Sequence, residues 1–96
     1  LDASLLNLWT RAQESAFSSR ALGWDTPSEG SSAGTRLSAR AYGHTGFTGT
    51  SMWIDPGQDL FVILLTNRVH PTRENRQIFD VRRQVADLAV QIAGAR

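Results

Sequence analysis

The sequence predicts an α+β chain, a piece of antiparallel sheet flanked by an N-terminal and a C-terminal helix. Three observations carry that prediction. Tyr42 to Ile54 reads as a glycine-punctuated strand that runs into Asp55-Pro56-Gly57-Gln58-Asp59, a segment with strong turn chemistry. The apolar run Leu60-Phe61-Val62-Ile63-Leu64-Leu65-Thr66-Asn67 follows it, and two such runs joined by a turn pair as an antiparallel hairpin. Near the end of the chain, Ile78, Val81, Val85, Leu88 and Ile92 recur at three- and four-residue steps, the stripe of an amphipathic helix.

Taken in order, Leu1 to Gln13 is expected to be helical. Asp2 is placed to cap the first turn, because its carboxylate can accept from free amide donors there. Leu1 and Leu6 fit a hydrophobic staple. From Glu14 to Arg40 the chain is expected to be mostly loop, with Ala21-Leu22-Gly23-Trp24 as a short strand. The stretch Asp25 to Gly34 is rich in Gly, Ser and Pro and has no periodicity. In the turn, Pro56 presets its own φ and Gly57 is the residue expected to take a positive one. The strand after it does not alternate polar with apolar, which predicts burial on both faces and layers on both sides of the sheet. Val69-His70-Pro71 ends that strand, and Thr72 is the expected cap of the last helix. Its opposite face carries Arg76, Asp80, Arg83 and Asp87, a solvated array of alternating sign. The last helix can cover one face of the Leu60–Asn67 strand and the first helix could cover the other, but a sheet of two or three strands has two edges and little area. The pattern therefore suggests further sheet or helix in a longer parent protein.

Composition narrows the chemistry. The chain has 96 residues, at most one small domain, and a net charge of +1 that gives no strong pull on nucleic acid. Arg73, Arg76, Arg82 and Arg83 are interleaved with Glu74, Asp80 and Asp87, which argues against a basic nucleic-acid patch. There is no cysteine, so disulfides, thiolate metal sites and thiol catalysis are excluded. His44, His70, Asp55 and Asp59 match no metal-ligand spacing, and no metal or cofactor is expected. The longest apolar run, Leu60 to Leu65, is too short to span a membrane. The chain opens on Leu1 with no visible signal peptide, and is expected to be part of something longer. All ten basic residues are arginine, so no Ser-x-x-Lys nucleophile can be encoded within it.

The motifs with chemical content lie around the glycine-marked strand. Leu22-Gly23-Trp24, His44-Thr45-Gly46-Phe47-Thr48-Gly49-Thr50, Ile54-Asp55-Pro56 and Leu64-Leu65-Thr66-Asn67-Arg68-Val69-His70-Pro71 occur in that order. This succession resembles the C-terminal portion of the serine β-lactamase-like family, which includes class C β-lactamases, penicillin-binding proteins and related esterases and peptidases. The likeness covers nearly the whole chain. It implies that residues 1–96 are a single partial domain, the C-terminal segment of a β-lactamase-like serine hydrolase domain. The family uses three motifs: Ser-x-x-Lys, Tyr-x-Asn, and Lys-Thr-Gly or a His-containing variant. Only the third is here, since Tyr42-Gly43-His44 has histidine where the second motif has asparagine.

Position by position, the resemblance gives His44 the place of the third motif's lysine, orienting the substrate's polar end with a hydrogen bond from Thr45. Gly46 would let the substrate backbone approach without a side-chain clash. The amide N–H of Phe47 would be one of two oxyanion-hole donors, a role that can be worth about 3–4 kcal/mol of barrier. The other donor, the amide of the nucleophilic serine, belongs to the missing N-terminal part, which the segment needs as partner. The expected substrate is a small-molecule or peptide amide or ester. Histidine in place of lysine is a weaker anion partner, which favours an esterase or peptidase branch over a true β-lactamase. Periplasmic or secreted location is common in the family. Read without the resemblance, His44 is a polar residue at a strand start, Thr45 serves strand propensity, and Gly46 is a bulge site. A rival function is a non-catalytic module that binds a peptide along an exposed strand edge.

Overall fold

The computed structural model describes residues 2–13, 18–70 and 76–94. The elements run α1 (Ala3–Trp9), β1 (Tyr42–Thr45), β2 (Ser51–Asp55), β3 (Leu60–Leu64) and α2 (Gln77–Gly94). The strands form one antiparallel sheet in the order β1-β2-β3. The α+β class is as predicted, two helices flanking a small antiparallel sheet.

Asp2 caps α1 as expected, its Oδ1 accepting from the Ser4 amide at 2.8 Å. The predicted staple partner Leu1 and the predicted cap Thr72 lie outside the described residues. The helix itself is shorter than predicted and has no buried residue. It is tied to the rest through the Trp9 carbonyl, which accepts from the Leu22 amide at 2.9 Å.

Three expectations for the strands are corrected. Ala21 to Trp24 is a closed turn rather than a strand: the Ala21 amide donates to the Trp24 carbonyl at 2.9 Å, and isolated bridges link Arg20 to Asp25 and Asp25 to Gly43. The single strand Tyr42 to Ile54 divides into β1 and β2, because the Gly46–Thr50 stretch folds back as a hairpin closed by Gly46 N–H to Thr50 O at 2.8 Å. The continuous apolar run after the turn is not buried on both faces. Leu60, Val62 and Leu64 are half-buried, while Phe61 is 67% and Ile63 53% exposed. The positive φ in the turn before it belongs to Asp59 (φ 52) and not to Gly57.

Register explains which side is closed. Trp53 pairs with Gly43 and Val62, and Ser51, Trp53 and Asp55 form the buried line of β2. Ala33, Ala41 and Trp53, with Leu37 against them, form the core. The indole N–H of Trp53 donates to Ser32 Oγ at 3.0 Å, so the Gly- and Ser-rich loop is pinned over this face. The α2 helix lies beside β3. Its inward line is Ile78, Arg82 and Ala86, a rotation away from the predicted stripe, since Leu88 and Ile92 are exposed. Asp87, predicted to be solvated, accepts from the amides of Thr35 and Arg36 at 2.7 and 3.0 Å and fastens the loop to α2. On the other face Trp24 meets Tyr42 edge-to-face at 5.1 Å, but nothing among the described residues covers Phe61 and Ile63.

Asp55 anchors the closed side. It is fully buried, accepts from the Ser38 amide at 2.7 Å, from Gln58 Nε2 at 2.8 Å and from the Gly57 amide at 3.0 Å, and also from the Ser38 hydroxyl. Burial alone would raise its pKa, but the donors from Ser38, Gln58 and Gly57 outweigh burial and hold the carboxyl below the ordinary value. The folded value therefore lies below the unfolded one. The stabilisation is complete above the unfolded value of about 3.9 and fades as pH falls through the folded value. In urea titrations, Asp55→Asn should be weaker by about 1.5–3 kcal/mol at pH 7 and decline less on acidification than the wild type. Equal stability at pH 7 would contradict this network.

Gly43 answers to close packing. A Cβ there would lie 2.6 Å from Trp53 Cδ2 and against the Met52 carbonyl. Gly43→Ala should destabilise the protein by about 1–3 kcal/mol, read as a lower denaturant midpoint with an unchanged slope.

Candidate functional site

The site is built on the outer edge of β1 and the hairpin that follows it. Gly43 turns both backbone groups outward, its N–H donating to Asp25 O at 2.9 Å and its carbonyl accepting from the Asp25 amide at 2.7 Å. Backbone groups alternate along an antiparallel strand, so those of Thr45 face outward on the same edge, beyond the Asp25 bridge. Asp25 is itself held, accepting from Ser19 Oγ at 2.8 Å and from the Thr26 amide at 2.9 Å.

His44 and Thr45 are both exposed. Strand alternation sets His44 beside Met52 on the open face and Thr45 beside Ser51 on the other. His44 Nδ1 lies 2.7 Å from the Thr45 carbonyl. A carbonyl only accepts, so this contact assigns the ring hydrogen to Nδ1 and makes Nε2 of a neutral ring an acceptor. Gly46 and Phe47 open the hairpin turn, and the Phe47 ring is 58% exposed. The structure thus brings the four sequence-predicted residues together at one strand end.

The turn is fixed through its carbonyls. Gly46 O accepts from Arg82 Nη2 at 2.7 Å, Phe47 O from Arg68 Nε at 2.8 Å, and Thr48 O from the Arg68 amide at 2.8 Å. Gly49 O accepts from Thr66 Oγ1 at 2.8 Å, and Thr50 O from Arg82 Nη2 at 3.0 Å. The Arg68 guanidinium also lies over the Phe47 ring, 4.8 Å from its centre. Burial, and then the charge of Arg68, draw the Arg82 guanidinium below its ordinary value, though an arginine remains protonated.

Sequence reasoning missed this support. In the sequence Arg68 stands within a motif and Arg82 within a broken basic patch, and neither setting points to a turn more than ten residues away. The available signal was spacing: Arg82 stands four residues after Ile78 and four before Ala86, inside the helix line that turns out to be buried.

Gly49 adopts φ +117, and a Cβ there would meet Thr66 Oγ1 and sit 3.0 Å from the Arg68 amide nitrogen. Gly49→Ala should therefore destabilise the hairpin by about 1–3 kcal/mol and speed amide exchange across residues 46–50. Unchanged exchange in the variant would show that the turn does not need this geometry.

Comparison with known proteins bears on the family of the chain. The Beta-lactamase family model matches residues 2–87. Over 51 residues the chain is 45% identical to the N-acetylmuramyl-L-alanine amidase of Bacillus subtilis (strain 168), an overlap of 49% of this chain and 12% of that protein. The chain therefore spans only a small part of that relative's length. No solved structure matches. Among the described residues, no helix is long and apolar enough to cross a membrane. With a match over nearly its full length, the chain belongs to the Beta-lactamase family, a hydrolase-like family.

Proposed function

We propose that this chain is the C-terminal segment of a serine hydrolase domain that transfers the acyl group of an amide or ester to water. The observation that carries the reading is the outer edge at Thr45, whose carbonyl is met by the neighbouring His44 ring, followed by a turn whose carbonyls are all held by donors from β3's extension and α2. A substrate lying along that edge would meet His44 and Thr45 at its polar end and pass close to Gly46. A serine oxygen from chain outside these 96 residues would attack the substrate carbonyl carbon. The resulting oxyanion would accept from the Phe47 amide and from the serine's own amide. Collapse would expel the amine or alcohol with a proton and leave an ester on the serine. Water would then add to that ester and release the acid.

Two further observations support the partial-domain reading. Phe61 and Ile63 lie on an uncovered sheet face, an exposure that a complete domain avoids. The segment also has no lysine for a Ser-x-x-Lys motif. The amidase relative brings an amide within the substrate range, and histidine at position 44 favours an esterase or peptidase over a β-lactamase.

A fluorophosphonate probe should label the full-length protein stoichiometrically on a serine outside residues 1–96 and leave the isolated segment unlabelled. In the full-length protein, Thr45→Val should lower kcat/KM on p-nitrophenyl acetate by roughly tenfold, the loss of one substrate hydrogen bond. Labelling of a serine within the segment, or no labelling of the full-length protein, would refute the reading.

A further inference from the structure

Arg82 is an unusual residue to find under a sheet. It is 6% exposed, and its Nε is buried with no hydrogen-bond partner among the described residues. No carboxylate pairs with it among those residues. Its contacts are backbone carbonyls: Nη2 donates to Gly46 O at 2.7 Å and to Thr50 O at 3.0 Å, the two residues that close the hairpin. A buried guanidinium with an orphaned donor is a costly way to hold a turn that already has its own backbone bond.

The geometry of one peptide unit gives the reason. The Gly46 carbonyl and the Phe47 N–H belong to the same planar trans peptide and point in opposite directions. The side of the sheet that carries α2 is the one on which Leu60, Val62 and Leu64 are half-buried. His44 shares the other side with Met52 and Ile63. The Gly46 oxygen accepts from the Gly49 amide at 3.1 Å as well as from Arg82, so that peptide is held with its oxygen on the inner side of the hairpin and the Phe47 N–H on the opposite side, toward the outer edge of β1. The second bond, to Thr50 O, stops the hairpin from rolling about its axis. In a buried environment these bonds are stronger than in water and resist reorientation.

We propose that Arg82 is a positioning residue for catalysis: from α2 it locks the Gly46–Phe47 peptide so that the Phe47 amide faces the reacting carbonyl oxygen. This rests on the hydrolase reading given above. It assigns the C-terminal helix a part in the reaction without contact with the substrate. A lysine at this position keeps the charge and can donate from one nitrogen to two acceptors, as Nη2 does, but its stem is shorter and its ammonium is not held in a plane.

The test uses the full-length protein with p-nitrophenyl acetate as substrate and a fluorophosphonate as label. Arg82→Lys should lower kcat by about tenfold and Arg82→Met by about a hundredfold, with KM within about twofold, because a mis-aimed donor acts on the transition state and not on ground-state binding. The Phe47 amide should exchange faster in both variants, with Lys the milder. If Arg82→Met fails to fold, the Lys variant carries the test. A folded variant that keeps the wild-type kcat, or that changes only KM, overturns the role of Arg82 alone. A wild-type protein that neither labels nor turns over the ester overturns the hydrolase reading and this inference with it.

Discussion

Five consecutive carbonyls, from Gly46 to Thr50, each accept a hydrogen bond, and every donor but the hairpin's own amides lies between Thr66 and Arg82. A turn this rich in glycine has little intrinsic reason to hold one shape, since glycine admits more backbone conformations than any other residue. Its order is imposed from outside, by the segment just past β3 and by α2. The strand end that carries His44 and Thr45 is therefore rigid only as far as that external clamp is rigid. This is why the last third of the chain, which contributes none of the sequence-predicted site residues, still decides how they are presented.

The closed face of the sheet follows the same logic with other chemistry. Asp55 gathers donors from Ser38, Gly57 and Gln58, and Asp87 gathers them from Thr35 and Arg36. Two carboxylates, one on a strand and one on a helix, thus bracket the irregular loop between them. With so few large apolar side chains fully buried, that loop is held more by charge-assisted bonds than by packing.

What could be read beforehand depended on whether a local pattern was enough. The C-terminal helix, the Leu60 strand and the Asp55–Asp59 turn were legible, because periodicity and turn chemistry act within a few residues. The hairpin at Gly46–Thr50 was not: Gly46 and Gly49 looked like strand irregularities, and only the donors from Thr66, Arg68 and Arg82 make them a turn. The rotation of α2 was hidden for a related reason. An arginine on the buried line contradicts the apolar rule, and the acceptors that satisfy Arg82 lie more than thirty residues away in sequence. Burial of the β3 run on both faces follows from its lack of alternation, but among the described residues only the side carrying Leu60, Val62 and Leu64 is covered, because a continuous apolar run does not say how many layers pack on it. Of the candidate site, His44, Thr45, Gly46 and Phe47 are legible as a motif, while the donors that hold the turn behind them are not.

Trp53 is 2% exposed and lies against Gly43, whereas Trp9 is 47% exposed. An indole shielded from water emits at shorter wavelength than a wet one, so of the three indoles Trp53 is the one expected to emit furthest to the blue, ahead of the half-buried Trp24 and the exposed Trp9. Parting of β1 from β2 admits solvent to the Trp53 ring and shifts its emission to the red. Fraying of α1 leaves it untouched. The molecule thus contains its own optical gauge of whether the glycine-bearing ribbon is seated.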